Sequence, residues 1–313
     1  MSPHEQPFRF GVEMKGPFDG RSWADSAREL EALGYSTLFV PDHFHSGYGP
    51  ITAMATALAA TTTLSVAPLV MAVDFRHPAV LAKEIATLDA MFPGRVELGV
   101  GAGYNPLDYS RSGIRMDPPG QRVGRLAEYV QVLRLLFSGE LVSFDGADFQ
   151  LREIEGTPLP ATPGGPPILV AGGGPRLLRL AGAQADIIGV NPSTAAGRDS
   201  PETFRDAMAV SIDVKVELVR AAAGDRWDRL QLNAWVSFAQ LTDDAASVVG
   251  WLAQYAGAGV DDVLDSPIVL VGSEAEVAER LRARRERWGY SYTCLPQSAV
   301  HEFAPVVAAL AGR

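Results

Sequence analysis

The chain has 313 residues, of which 47% are hydrophobic, and its 27 basic and 37 acidic side chains give a formal net charge of −10. That hydrophobic fraction provides a large core and excludes disorder over the bulk of the chain. The acidic balance argues against nucleic acid and anionic membrane surfaces as partners, because both require clustered positive charge.

The cysteine count and the first residues of the chain indicate the cellular compartment. Cys294 is the single cysteine, so an internal disulfide framework and a thiolate metal cage are excluded, and we expect this residue in the core. Residues 1–6 show neither the basic region nor the apolar region of a signal peptide, and no apolar run approaches the 18 residues or so of a membrane span. We therefore expect a cytoplasmic protein without a membrane partner.

Short apolar runs bounded by Gly or Pro alternate with stretches of helical periodicity. In chain order the pattern predicts strand 8–13, helix 22–33, strand 36–40, helix 53–60, strand 64–70, helix 78–91, strand 95–100 and a helix along Leu126, Val130, Leu133 and Phe137. It then predicts a hairpin from 142–144 and 149–152, strands 167–171 and 187–190, and helices beginning near Pro175 and Pro201. The last elements are strand 232–238, helices beginning near Asp243 and Ser273, strand 290–295 and an apolar segment over 303–310.

This alternation predicts the fold class. Eight strands, each followed by a helix, imply right-handed parallel crossovers, and eight such units fit an α/β fold of the (β/α)8 TIM-barrel type. The alternative, an open Rossmann-like sheet, requires a Gly-rich fingerprint after the first strand, which residues 11–16 do not supply. We expect a single domain over residues 1–313, with insertion segments 104–120 and 141–166 at the C-terminal face as a lid or substrate wall.

Chemistry in such a barrel belongs at the carboxyl ends of the strands. Asp42 and His43 directly follow the second strand, and a histidine there suits proton transfer. The structural alternative is an N-cap aspartate beside a surface histidine. Histidines at helical metal-site spacing and a Gly-x-Ser-x-Gly elbow are both absent from the sequence, so we predict neither a metal site nor a serine hydrolase.

The turn after the fifth strand carries Gly172, Gly173 and Gly174, followed by Pro175 and Arg176. Glycine N–H groups, a helix N-terminus and an arginine can together bind a phosphate. The alternative is a tight turn with a solvated arginine.

Taken in order, these loops resemble the bacterial luciferase-like monooxygenase superfamily, and within it the branch that uses the deazaflavin coenzyme F420. The matching segments are residues 39–43, 74–79 with 81–83, 87–89 with 94–103, 166–176, 180–181 with 185–187, and 272–273 with 276–281. The resemblance extends from about residue 8 to residue 296, nearly the whole chain.

The resemblance implies a barrel, commonly a homodimer, that binds a flavin or deazaflavin at its carboxyl face. Asp42 would contact the ring system, and His43 would lie next to the reacting carbon. A non-prolyl cis peptide would fall near Ala72 and Val73, behind the ring. The remaining cofactor-binding residues would be Gly101, Gly103, Tyr104 and Asn105 beside the ring, with Gly172, Gly173, Gly174 and Arg176 around the phosphate. Many F420 relatives have Trp where this chain has Tyr104, so the resemblance does not identify the substrate of this chain.

The resemblance favours an oxidoreductase that moves a hydride between a small organic substrate and coenzyme F420, with His43 and Asp42 as catalytic residues. The alternative is an FMN-dependent luciferase-like monooxygenase that uses reduced flavin and oxygen. A third hypothesis, a barrel that binds a flavin-like ligand without turnover, does not explain the Asp42–His43 pair. The arginine-rich stretch 281–287 is interpreted as a solvated helix face.

Overall fold

The computed structural model of the protein describes residues 3–313. The strands are β1 (Arg9–Glu13), β2 (Thr37–Val40), β3 (Ser65–Pro68), β4 (Met71–Ala72), β5 (Leu98–Gly101), β6 (Leu141–Asp145), β7 (Gln150–Glu155), β8 (Ile168–Gly172), β9 (Ile187–Val190), β10 (Gln231–Trp235), β11 (Phe238–Leu241), β12 (Val269–Gly272) and β13 (Tyr290–Pro296). The helices are α1 (Trp23–Ala32), α2 (Pro50–Ala60), α3 (Pro78–Met91), α4 (Pro106–Ser112), α5 (Pro119–Phe137), α6 (Pro175–Gln184), α7 (Pro201–Arg205), α8 (Ala209–Ala223), α9 (Ala245–Ala256), α10 (Val260–Asp265), α11 (Glu274–Trp288) and α12 (Val300–Leu310). Within residues 3–313, no helix combines the length and the apolar character needed to cross a membrane.

Each predicted strand position contains a strand, and the hairpin at 141–155 is confirmed. The predicted strand 232–238 is wrong as a single element, because β10 ends at Trp235 and β11 begins at Phe238. The elements that were not predicted include α4, α10, β4 and β12. The α4 segment begins with Asn105 and Pro106, which are an N-cap and a first-turn proline, so the signal for this helix is present in the sequence.

The chain forms two compact units. Unit 1 comprises Met1–Glu13, Glu29–Thr37 and Ala171–Arg313, and unit 2 comprises Met14–Arg28 and Leu38–Val170.

In unit 1 the strands β1, β13, β10 and β9 are neighbours in that order, and all three pairings are parallel. Cys294 lies opposite Gly11 in this sheet and is fully buried, which confirms its predicted place in the core; burial raises the pKa of its thiol. Strands β11 and β12 form a small second parallel sheet, next to a core that includes Val249, Leu252 and Val263.

One arginine of α11 departs from the predicted solvated face. Arg284 is buried and donates to the carbonyls of Leu264, Ser266 and Val269. Burial lowers the pKa of this guanidinium to about 9. The three carbonyls lie at the end of α10 and the start of β12, two elements that were not predicted, so helical periodicity alone could not show that this side chain faces inward.

In unit 2 the strands β4, β5 and β8 are parallel neighbours, with Ala72 paired to Gly101 and Gly99 paired to Leu169. Strand β3 lies beside β2. The helices α3 and α5 pack against each other. His77 caps the N-terminus of α3 and accepts a hydrogen bond from the Ala79 amide, as predicted for a helix start.

Two glycines of β5 fit against the segment between β3 and β4. A Cβ atom on Gly99 would lie 2.0 Å from the Pro68 carbonyl oxygen, and one on Gly101 would lie 2.6 Å from a methyl group of Val70. The non-prolyl cis peptide is Leu69–Val70, so the predicted location near Ala72 and Val73 is wrong by three residues. The predicted strand ran unbroken through residue 70, whereas β3 ends at Pro68.

The glycine at 99 gives a stability prediction. Replacing Gly99 with Ala forces a methyl group against backbone, which cannot move aside as a side chain can, so the free energy of unfolding should fall by about 1–3 kcal/mol or more. Urea denaturation measures the change. Gly16→Ala is the matched control in the same unit, because a Cβ there meets nothing within 4 Å. Equal stability of the two variants would contradict the close approach.

Candidate active site

The loop after β2 brings Asp42 to a buried position beside Arg76. The Arg76 guanidinium donates to both carboxylate oxygens of Asp42, at 2.7 and 3.3 Å, and the Asp42 side chain is only 7% exposed. The N-cap of the next helix, α2, is Gly49. Asp42 is therefore not a helix cap, and the structural alternative raised for it is wrong.

His43 is held by an aspartate from a different loop. Its Nδ1 atom lies 2.7 Å from Oδ2 of Asp108, and its Nε2 atom lies 3.4 Å from the Tyr104 hydroxyl. The rings of His43 and Tyr104 meet edge to face, with centroids 5.7 Å apart. His43 thus contacts a buried carboxylate on one side and a half-exposed phenol on the other.

The carboxylate of Asp108 accepts hydrogen bonds from three donors. Besides His43, its Oδ1 atom accepts from the Phe44 amide at 3.0 Å and lies 3.0 Å from Nδ1 of His45. Burial alone would raise the pKa of Asp108, but the hydrogen bonds from His43, His45 and the Phe44 amide outweigh it and lower the pKa.

The ionised state of Asp108 determines the tautomer of His43. An ionised carboxylate only accepts hydrogen bonds, so Nδ1 of His43 must be the protonated nitrogen. Nε2 of the neutral ring then carries the lone pair and faces the Tyr104 hydroxyl. The arrangement is suited to accept a proton at Nε2 and to stabilise the resulting imidazolium through Asp108.

Helix α4 positions Asp108. The Asn105 side chain accepts from the Leu107 amide at 3.1 Å and caps this helix, and Pro106 occupies the first turn. Asn105, predicted to bind cofactor, therefore uses its side-chain oxygen as a helix cap. Asp108 lies in the first turn, from which its carboxylate reaches back to the loop after β2.

A second carboxylate network fixes the loop after β4. Arg125 pairs with Asp74 at 2.5 Å, Asp117 at 2.5 Å and Asp148 at 2.9 Å. The Tyr109 hydroxyl donates to Asp74 at 2.7 Å, and burial, followed by this bond to a carboxylate, raises the pKa of the Tyr109 phenol.

The loop after β5 is tied down by a buried arginine. Arg122 donates to the carbonyls of Ala102 and Gly103 and, at 2.9 Å, to that of Asp117. Gly103 has a φ of +71°, and a Cβ there would lie 1.8 Å from the Tyr109 hydroxyl. Gly103 is thus required for the path of this loop, whatever it binds.

The other predicted residues of unit 2 lie on the same strand ends. Ala72 ends β4 and Val73 begins a short 3-10 turn, and both are buried. Gly101 ends β5 opposite Ala72. The role of Ala72, Val73 and Gly101 in cofactor binding stays a prediction.

The predicted phosphate turn lies wholly in unit 1. Gly173 packs against the backbone of residues 191–193, where a Cβ would lie 2.3 Å from the Pro192 carbonyl carbon, and Gly172 packs against the Leu177 side chain. Gly174 is the N-cap of α6 without a side-chain cap, and the space where its Cβ would lie is open. Arg176 is exposed in the first turn of the same helix.

This turn fits an anion. Its N-cap residue, Gly174, offers no side-chain acceptor to the first-turn N–H groups, and the helix N-terminus carries a partial positive charge beside the Arg176 guanidinium. Gly174 and Arg176 are therefore the residues of the predicted set that remain open to a ligand.

Sequence reasoning missed four of the residues that organise unit 2. Asp108 lies in the segment predicted as an insertion, Arg122 and Arg125 lie on α5, and Arg76 precedes the predicted helix 78–91 and was assigned no role. The contacts of Asp108 with His43 and of Arg76 with Asp42 join residues 65 and 34 positions apart. Contacts between residues so far apart in the chain cannot be predicted from local sequence patterns.

The chain matches a known family over most of its length. The family model of luciferase-like monooxygenases matches residues 6–292. F420-dependent glucose-6-phosphate dehydrogenase of Nocardia farcinica (strain IFM 10152) is 34% identical over 196 residues, which cover 59% of this chain and 56% of that protein. The first three such dehydrogenases are covered over 56%, 62% and 65% of their own lengths, so the chain spans less than two thirds of these curated relatives.

Two solved structures share the fold. F420-dependent tetrahydromethanopterin reductase from Methanopyrus kandleri superposes with a TM-score of 0.73 at 17% identity, covering 98% of this chain and 99% of that one. An F420-dependent secondary alcohol dehydrogenase, in complex with an F420–acetone adduct, gives 0.74 at 21% identity, covering 97% and 99%. The fold is thus the α/β (β/α)8 barrel predicted from the sequence.

Proposed function

The chain belongs to the luciferase-like monooxygenase family, and from that premise we propose that it is an oxidoreductase that transfers a hydride between a small organic substrate and coenzyme F420. The observation that carries the proposal is the pair formed by His43 and Asp108, which presents an imidazole nitrogen suited to take up a proton. Relatives and structural neighbours with F420 in their names support this cofactor over FMN.

The residues present fit a deazaflavin. When bound, it supplies the hydride chemistry at its ring. In unit 2 we propose that the ring lies against Asp42, Ala72, Val73, Gly101, Gly103, Tyr104 and Asn105. The backbone of Gly103 is fixed by Arg122 and the side chain of Asp42 by Arg76, so the wall offered to the ring is rigid.

The phosphate site is a separate proposal that rests on unit 1. We propose that Gly174 and Arg176 bind the phosphate, with Gly172 and Gly173 shaping the turn. The supporting observation is the uncapped N-terminus of α6 with open space at Gly174. A phosphate there would accept from first-turn N–H groups and from the guanidinium.

His43 handles the proton that accompanies hydride movement. Oxidising a carbon that bears a hydroxyl releases a hydride from carbon and a proton from oxygen, and Nε2 of His43 is the acceptor that Asp108 prepares. The Tyr104 hydroxyl, 3.4 Å away, orients that nitrogen in the resting state. In the reverse direction the same nitrogen returns the proton.

The substrate is proposed by class. The curated relatives act, by their names, on a sugar phosphate, and a neighbour acts on secondary alcohols. A carbinol carbon is the substrate group that requires the proton acceptor His43 provides. We therefore propose a small hydroxyl-bearing molecule, with Phe44 and Phe75, whose ring centroids lie 4.7 Å apart, as apolar wall.

We also propose a cytoplasmic homodimer of single-domain chains. Val80 and Met91 of α3 are large, apolar, and 53% and 64% exposed. They are 11 residues apart, which places them on one helix face. An exposed apolar face of this kind suits contact with a second copy.

Cofactor binding tests the proposal directly. Titration of the protein with F420 and with FMN, followed by fluorescence, should give micromolar affinity for F420 and weaker affinity for FMN. Arg176→Ala should weaken F420 binding by about tenfold, the effect of losing one charge-assisted hydrogen bond, whereas Arg179→Ala, exposed further along α6, should not. Preferential FMN binding would refute the F420 assignment, and equal affinities of the two variants would refute the phosphate site.

Turnover tests the role of His43. His43→Ala should lower kcat by about 10²–10⁴-fold, the usual contribution of a general acid or base, with F420 affinity unchanged. His77→Asn is the matched control, since asparagine retains an N-cap acceptor at the start of α3. Steady-state kinetics separates the two variants, and an unchanged kcat in His43→Ala would remove this residue from the mechanism.

A further inference from the structure

We propose that His43, His45 and Asp108 form a site for a divalent transition metal such as Zn²⁺, and that its occupation inhibits the enzyme. One ligand atom from each of these residues lies within 4.8 Å of the other two. No local sequence pattern predicts this set, because Asp108 is 63 residues from His45, the nearer of the two histidines.

The distances suit a compact metal centre. Nδ1 of His43 and Nδ1 of His45 lie 2.7 and 3.0 Å from the two oxygens of Asp108. Tetrahedral zinc with bonds of about 2.0–2.1 Å separates its ligand atoms by roughly 3.4 Å. An outward shift of about half an ångström between these groups would therefore admit the ion where two hydrogen bonds now lie.

The composition of the set selects the metal. Two imidazoles and one carboxylate favour zinc and related transition ions over magnesium or calcium, which prefer oxygen ligands. Three protein ligands leave a fourth position, and the His45 side chain, 35% exposed, opens that side to water.

Asp108 is the available carboxylate of this region. Asp42 and Asp74 are paired with the guanidinium groups of Arg76 and Arg125, which compete with a cation. The partners of Asp108 are instead two imidazoles and the Phe44 amide. That amide and the α4 backbone hold the carboxylate in place. Each imidazole can then replace its Nδ1 proton with a bond from Nδ1 to the metal.

Inhibition follows from the tautomer, and this part rests on the proposed function. When the metal bonds to Nδ1 of a neutral imidazole, the Nδ1 proton is lost to water and Nε2 takes up another, so the net proton count is unchanged. Nε2 of His43 then becomes a donor toward Tyr104. It no longer accepts a proton from substrate.

Isothermal titration calorimetry with Zn²⁺ alone tests the site without any turnover. The wild-type protein should bind one Zn²⁺, and Co²⁺ should give the visible absorption of a tetrahedral ion. His45→Gln, which removes one proposed ligand at a partly exposed position, should weaken Zn²⁺ binding by about 100-fold. His77→Asn should bind like the wild type. Absence of binding, or equal affinity in His45→Gln, would overturn the site.

Kinetics then tests inhibition. Zn²⁺ should inhibit wild-type turnover, EDTA should restore it, and the turnover that His45→Gln retains should be insensitive to Zn²⁺. Zinc bound at the triad without inhibition would overturn the regulatory part. If calorimetry shows the site while F420 turnover is absent, the metal site stands and the proposed function fails, so the two outcomes are distinguishable.

Discussion

The buried carboxylate of Asp108 is the constraint on which the geometry of the candidate active site depends. It joins α4 to the loop after β2 through three donors, two of them imidazoles. Because those donors lower its pKa against the effect of burial, it remains an anion. An anion in this position dictates which nitrogen of His43 is protonated, and therefore which nitrogen faces outward.

The surrounding charges are arranged so that this anion is not neutralised by a guanidinium. Arg76 is taken by Asp42, and Arg125 by Asp74, Asp117 and Asp148. Arg122 donates to carbonyls and fixes the loop after β5. The loops after β2, β4 and β5 are thus each held by an ion pair or a carbonyl contact. A proton acceptor surrounded by such fixed dipoles needs little rearrangement during reaction.

Much of the fold could be predicted from the sequence, because its strands are short apolar runs that end at Gly or Pro, and several helices begin with Pro. The position of His43 followed from the same logic, since it comes directly after β2. The partner of His43 could not be predicted. Asp108 lies on a helix inside a segment interpreted as a lid, although Asn105 and Pro106 carry the signal for that helix. Arg284 was misplaced for a related reason, because its carbonyl partners belong to elements absent from the prediction.

The glycines show that a Gly-rich turn in the sequence does not by itself identify a ligand-binding site. Gly99, Gly101 and Gly173 make room for neighbouring backbone or side chains, and a packing role of this kind leaves the same trace in a sequence as a ligand-binding role. Among the glycines predicted to bind cofactor, Gly174 is the one that faces open space at an uncapped helix N-terminus. Sequence patterns therefore located the strand ends, while three-dimensional contacts were needed to separate packing residues from those free to bind.

The most direct measurement is ¹⁵N NMR of the His43 imidazole in the resting protein, at a pH at which the ring is neutral, assigned with a His43→Gln variant. An ionised Asp108 predicts a ring protonated at Nδ1, with Nε2 showing the chemical shift of an unprotonated nitrogen. A neutral ring protonated at Nε2, with Nδ1 as acceptor, would mean that Asp108 carries the proton. That result would contradict the account.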